Sequence, residues 1–261
     1  MRLVSISALP VVVMVLAIPA TAQTYDEHMA SGDSLYETMK PAESLEHFRA
    51  AYFASPESYE ALWKFARSQI DVAKQLRGGN DREKSDSLYW VARLYADQAV
   101  RLDSLGAEGH FMLSNALGRV SRSKGGKERV QYGREIYNES ARALELDPNH
   151  AGAHHILGAW HAEIRRLSGV TRFVAKTLLG GGFMDMASWD SAVVHLEQSI
   201  ELEPDYIFHR LELAQVLIDL GRYGEAQEQL RHVLNLPVTD VDDPVHKETA
   251  AALLEELRNK N

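Results

Sequence analysis

The sequence predicts an all-α protein, a right-handed α-solenoid of about five helical hairpins closed by a C-terminal capping helix. Three observations predict it. A helix-ending phrase recurs at Ser55-Pro56, Leu102-Asp103-Ser104, Glu145-Leu146-Asp147-Pro148, Glu201-Leu202-Glu203-Pro204 and Leu236-Pro237, each after an apolar helical run. Proline stops a helix because it has no N–H to donate and its ring clashes with the preceding turn. Small residues recur at fixed distances before these phrases, where the two helices of a hairpin approach most closely. Cysteine is absent from the 261 residues, so no disulfide supports the fold and helix packing must carry it.

At the N-terminus, residues 1–22 read as a secretory signal peptide. Arg2 precedes an apolar run from Leu9 to Ile18, and Ala20-Thr21-Ala22 supplies the small residues for cleavage before Gln23. The run is too short to span a bilayer. The expected localisation is therefore exported, periplasmic or extracellular.

The rest, residues 23–261, divides into tetratricopeptide-like repeats near 25–58, 59–106, 107–150, 151–206 and 207–239, with a cap at 244–258. With the closing proline at position 32, small residues belong at positions 8, 20 and 27. The first repeat supplies Gly32, Ser44 and Ala51, beside the larger Leu35 and Phe48. The second has Leu62, Phe65 and Ala66, then Ala92, Ala96 and Ala99. The third has His110, Leu113, Ser114 and Leu117, closing through Ala143. The fourth has His154, Leu157, Gly158 and His161, then His195 and Ser199. The fifth is cleanest, with Ala214, Leu217, Gly221, Ala226, Leu230 and Val233. Asp243-Pro244 then opens the capping helix, since proline is tolerated in a first turn.

Successive closing residues lie 48, 44, 56 and 33 apart, so the three middle repeats exceed the usual length of about 34. The surplus falls between the two helices of each hairpin and is expected to lie on one edge of the solenoid. It carries Arg119, Arg122, Lys124, Lys127 and Arg129 in the third repeat and Arg165, Arg166, Arg172 and Lys176 in the fourth. These cations form a candidate basic edge in a chain of net charge -9. That overall charge argues against nucleic-acid binding. The stretch from Gly169 to Gly180 adds Phe173, Val174, Leu178 and Leu179 to its cations. It is expected mainly to fill the enlarged repeat, and otherwise to meet anionic head groups as an amphipathic element.

Three further motifs occur in order: His154-His155-Ile156-Leu157-Gly158-Ala159-Trp160, then Leu167-Ser168 with Arg172-Phe173-Val174-Ala175-Lys176, then Leu236-Pro237-Val238 followed by His246-Lys247-Glu248. Together they resemble the regulator of microtubule dynamics family, over roughly residues 140–258. The resemblance implies a tetratricopeptide-like domain with long, irregular repeats and no known enzyme activity. It looks closest to a bacterial exported branch. Microtubule binding is not carried over, because an exported chain would not meet tubulin.

Candidate chemistry is sparse. His154, His161 and His195 fall at positions 4, 11 and 24 of one repeat and form a weak candidate metal set, since neutral imidazoles are good zinc or copper ligands. The stretch Ser123-Lys124-Gly125-Gly126-Lys127 lacks the glycine spacing of a phosphate loop, and neither a nucleophile elbow nor an H-E-x-x-H motif occurs. The chain is expected to be a binding protein without enzyme activity or cofactor. Its partner would be a protein or peptide in a concave groove or, alternatively, an anionic lipid or other amphiphile at the groove and basic edge. The candidate ligand-binding residues are His155, Trp160, Arg165, Arg172, Lys176, Arg119, Arg122, Lys124 and Lys127.

Overall fold

The computed structural model describes residues 23–76, 81–258 and 260; the expected signal peptide at 1–22 lies outside the described residues. Among the described residues the chain forms α1 (Tyr25–Glu37), α2 (Pro41–Ala54), α3 (Tyr59–Gln75), α4 (Asp81–Leu102), α5 (Ala107–Ser121) and α6 (Gly126–Leu146). It continues through α7 (Ala151–Arg166), α8 (Gly169–Leu178), a 3-10 turn (Gly182–Met186), α9 (Trp189–Leu202), α10 (Ile207–Asp219), α11 (Tyr223–Asn235) and α12 (Asp243–Glu256). Hairpins form between α1 and α2, α3 and α4, α5 and α6, α7 and α9, and α10 and α11; α12 packs on α11 and α10 as the cap. Each second helix also meets the first helix of the next hairpin, so the five hairpins and cap stack as an α-solenoid.

The recurrent phrase builds one turn four times. Ser55, Asp103, Asp147 and Glu203 each donate their N–H to the carbonyl four residues earlier, at 2.8–3.0 Å. Their own carbonyls then accept the N–H three residues on, from Ser58, Gly106, His150 and Tyr206, at 3.0–3.3 Å. The second bond satisfies a carbonyl the ended helix would leave open and sets the entry of the next helix. Ser58, His150 and Ser188 accept an N–H from the first turn of the helix they precede, and Thr24 forms a full capping box with Glu27.

Packing follows the small-residue register. Ser44, Ala51, Ala66, Ala92, Ala99, Ser114, Ala143, Ser199, Ala214 and Ala226 are all fully buried. Gly158 shows why: a Cβ there would stand 2.6 Å from Leu196 Cγ and 3.1 Å from the Ala192 carbonyl oxygen. Gly221, at φ 72°, turns the chain between α10 and α11 in a conformation that L side chains rarely adopt. In the fourth repeat, Leu196 rather than His195 fills the space facing Gly158, and His195 is only half-buried. The enlarged repeats use two solutions. α4 and α6 lengthen to 22 and 21 residues, against 14 in α2. The fourth repeat instead inserts α8 and the 3-10 turn between α7 and α9, braced against α6 by the Arg134 guanidinium on the Gly180 carbonyl.

Candidate interaction site

The first helices of the hairpins stand side by side, α3 on α5, α5 on α7 and α7 on α10. The inner face they share is where the concave groove was expected. It is densely polar and carries three clusters.

The first cluster joins the two ends of the solenoid. Lys74 of α3, its side chain 8% exposed, lies 2.9 Å from Asp71 and 3.6 Å from Asp240 in the segment between α11 and α12. Burial works against the ammonium, but Asp71, Tyr206 and Asp240 outweigh it and hold its pKa well above the ordinary lysine value. Burial, then Asp71, pushes the neighbouring Tyr36 phenol up to about 12. The Arg67 guanidinium stacks 3.5 Å from the Tyr36 ring centre. The inner face is thus crossed rather than open at this point, and Tyr36, Met39, Pro41, Asp71 and Thr239 to Val241 enclose only about 40 Å³.

The second cluster is an ion-pair ladder. Arg166 of α7 binds Glu163 at 3.0 Å, Glu212 of α10 at 3.2 Å and Asp219 at 2.7 Å. Burial alone would lower its pKa, yet the carboxylates raise it; burial likewise raises the pKa of Glu212. Burial, and then the neighbouring Arg119, lowers the pKa of Arg122 at the end of α5.

Imidazoles form the third cluster. His155 and His209 are buried with their Nδ1 atoms 3.1 Å apart, one ring donating to the other, and His209 Nε2 meets Glu203 at 3.2 Å. Burial and then His209 hold the His155 pKa well below the ordinary histidine value.

The expected site residues therefore separate. His155 belongs to the buried inner face. Trp160 is a core residue, 6% exposed, whose indole N–H donates to the Gly133 carbonyl at 2.6 Å beside Tyr137. No continuous basic edge forms from the cations. Arg119 lies over the Tyr89 ring of α4 with 5.9 Å to the ring centre, Arg122 caps the end of α5, Arg166 is neutralised in the ladder, and Lys124 meets Glu128 at 3.2 Å. Lys127 is exposed near the start of α6. Only Arg165, Arg172 and Lys176 gather, around an open depression with Phe173, Met184 and Asp185, and Lys176 pairs with Asp185 at 2.5 Å.

The α8 helix also departs from expectation as filler. Only Ala175 of its residues is buried, while Val170, Phe173 and Leu178 are 75%, 66% and 75% exposed. The helix is held by Leu179 and Phe183, which pack on the core around Trp160, so its own apolar residues turn outward.

His154, His161 and His195 do come together. His154 Nδ1 lies 2.9 Å from His195 Nδ1, and His195 stacks on His161 with ring centres 5.8 Å apart. Among the described residues no group of three or more histidine, cysteine or acidic side chains is arranged to hold a metal ion.

Lys74, Asp71, Tyr36, Tyr206, Asp240 and Glu212 were not expected at the site. Asp71 and Lys74 lie one turn apart near the end of α3, a local sign that this face carries an ion pair.

Comparison with known proteins agrees with this architecture. The chain is 26% identical to regulator of microtubule dynamics protein 1 of Bos taurus over 254 residues, 96% of this chain and 78% of the relative. It is 23% identical to the Caenorhabditis elegans protein 1, over 83% of this chain and 93% of that one. It is 25% identical to protein 3 of Rattus norvegicus, of which it covers 40%. Among solved structures, the fold is shared with TTC0263, a thermophilic TPR protein of Thermus thermophilus, at TM-score 0.63 and 23% identity over 88% of this chain and 100% of that one. The model of the family described as regulator of microtubule dynamics protein 1-3 matches residues 28–258, and the chain belongs to that family.

Proposed function

We propose that this chain is an exported, non-catalytic scaffold that binds a protein or peptide segment through the inner face of its solenoid. The observation that carries this reading is the ladder on that face. Arg166 of the fourth hairpin, paired with Glu163, meets Glu212 and Asp219 of the fifth, so charged side chains of successive hairpins join on the face that their first helices share, where an extended segment could lie. Export is supported by the signal-like N-terminus, in which Arg2, the apolar run from Leu9 to Ile18 and Ala20-Thr21-Ala22 follow one another. A role in microtubule dynamics stays with the relatives whose names carry it.

A second reading, contact with an anionic lipid surface, is favoured by one observation: Val170, Phe173 and Leu178 are exposed on α8 beside Arg165 and Arg172. Native mass spectrometry of the chain purified from its host separates the two. A saturable protein or peptide adduct that survives detergent removal fits inner-face binding. A phospholipid recovered in an organic extract, with no such adduct, would replace that reading with the lipid one.

A further inference from the structure

The segment between α11 and α12 runs over the inner face instead of along the outside of the stack. Thr239, Asp240 and Val241 come against Tyr36, Met39 and Pro41 of the first hairpin and Asp71 of the second. The segment is shaped before it arrives. The buried Asp243 carboxylate accepts the N–H groups of Thr239 and Asp240 at 2.7 and 2.8 Å, and Asp240 accepts the N–H of Asp242 at 2.9 Å. Asp240 is left with its second carboxyl oxygen aimed at Lys74 and Tyr206.

The contacts it makes there are long. Lys74 lies 2.9 Å from Asp71 but 3.6 Å from Asp240, and the Tyr206 hydroxyl donates to Asp240 at 3.4 Å. Charge-assisted hydrogen bonds of full strength lie near 2.7–2.9 Å. Asp71 is thus the fixed partner of Lys74 and Asp240 the looser one. Withdrawing Asp240 leaves a buried ammonium with one carboxylate, in the field of Arg119 and beside the Arg67–Tyr36 stack. A vacated place of that kind selects a carboxylate.

We infer that residues 239–243 form a displaceable strap, and that Asp240 holds at Lys74 the place taken by an acidic side chain of an extended partner segment. This rests on the inner-face reading above and gives its ligand a chemistry: an extended peptide with an aspartate or glutamate that reaches Lys74. While the strap is seated, the competent fraction is small and the apparent affinity falls by that fraction.

The test uses the mature chain and, as probe, a labelled synthetic peptide with the sequence of residues 236–243, followed by fluorescence anisotropy. Asp240→Asn in the chain loosens the strap and is expected to bind the probe at least about tenfold more tightly than wild type. Adding Lys74→Met is expected to return binding to the wild-type level or below, and a probe carrying asparagine in place of its Asp240 residue is expected to bind poorly to every chain. Lys74→Arg, which keeps the charge, is expected to retain binding in the Asp240→Asn background. Should Lys74→Met fail to fold, that conservative pair and the two probes still decide the question. Equal affinity in wild type and Asp240→Asn overturns the strap but leaves inner-face binding standing. Binding that ignores both Lys74 and the probe's aspartate, or no binding by any chain, overturns the inference. Inner-face binding itself fails only if a bound partner maps elsewhere on the solenoid.

Discussion

At the scale of single residues, the chain separates positions that need smallness from positions that need a particular charge state. Ala226 is fully buried where α11 crosses α10, so Ala226→Leu should overpack that hairpin and destabilise it by about 1–3 kcal/mol, read as a lower denaturation midpoint. An unchanged midpoint would mean that the closest approach of the fifth hairpin lies elsewhere. His195 shows the other kind. Burial, and then His154 and His161, lowers its pKa to about 4, so the folded chain keeps it neutral where an unfolded chain protonates near 6.5. A depressed histidine contributes stability that is present above pH 6.5 and lost as pH falls through the folded value. Between pH 7 and 4 the chain should lose roughly 1–3 kcal/mol through this group. His195→Gln should lose less over the same interval, and parallel pH profiles for the two proteins would exclude His195 as the cause. The small positions were legible in the sequence because the closing phrase fixes their count. The same count bears on His195: eight residues before Pro204 stands Leu196, so placing His195 at position 24 was a slip of one residue, and the packing of Leu196 against Gly158 shows which of the two faces the hairpin.

At the scale of elements, the sequence showed where the solenoid is enlarged but not how. Spacing between closing phrases counts residues, and a lengthened helix and an inserted one satisfy the same count. The structure uses lengthening in α4 and α6 and insertion at α8. The orientation of α8 was illegible for a related reason. Helical periodicity puts Val170, Val174 and Leu178 together but cannot say whether that face turns inward. Because these residues are exposed, replacing Val170, Phe173 and Leu178 together with serine should change unfolding free energy by no more than about 0.5 kcal/mol per site. The same variant should lose any sedimentation with anionic vesicles, and Arg172→Glu should weaken it further. A large fall in stability would show that α8 packs inward in solution, and vesicle binding that survives the triple change would place any lipid contact elsewhere.

At the scale of the whole molecule, the solenoid is a stack whose ends meet. The stack was legible from the repeated turn and the family motifs. The meeting of its ends was not, because Lys74 and Asp240 belong to different hairpins and no local pattern couples them. The basic edge dissolved for the same reason: cations adjacent in sequence face different ways once the carboxylates of α7 and α10 claim Arg166. Export belongs to this scale too. Intact mass of the chain from its native host should correspond to a start at Gln23, and a soluble product retaining Met1 would remove the exported reading. The most direct measurement of the central claim is site-specific photocrosslinking in that host, with the crosslinker placed at Glu163, exposed on α7 beside Arg166, or at Glu228, exposed on α11. Inner-face recognition predicts a discrete protein adduct from Glu163 and none above background from Glu228; adducts confined to Glu228, or equal from both, would contradict it.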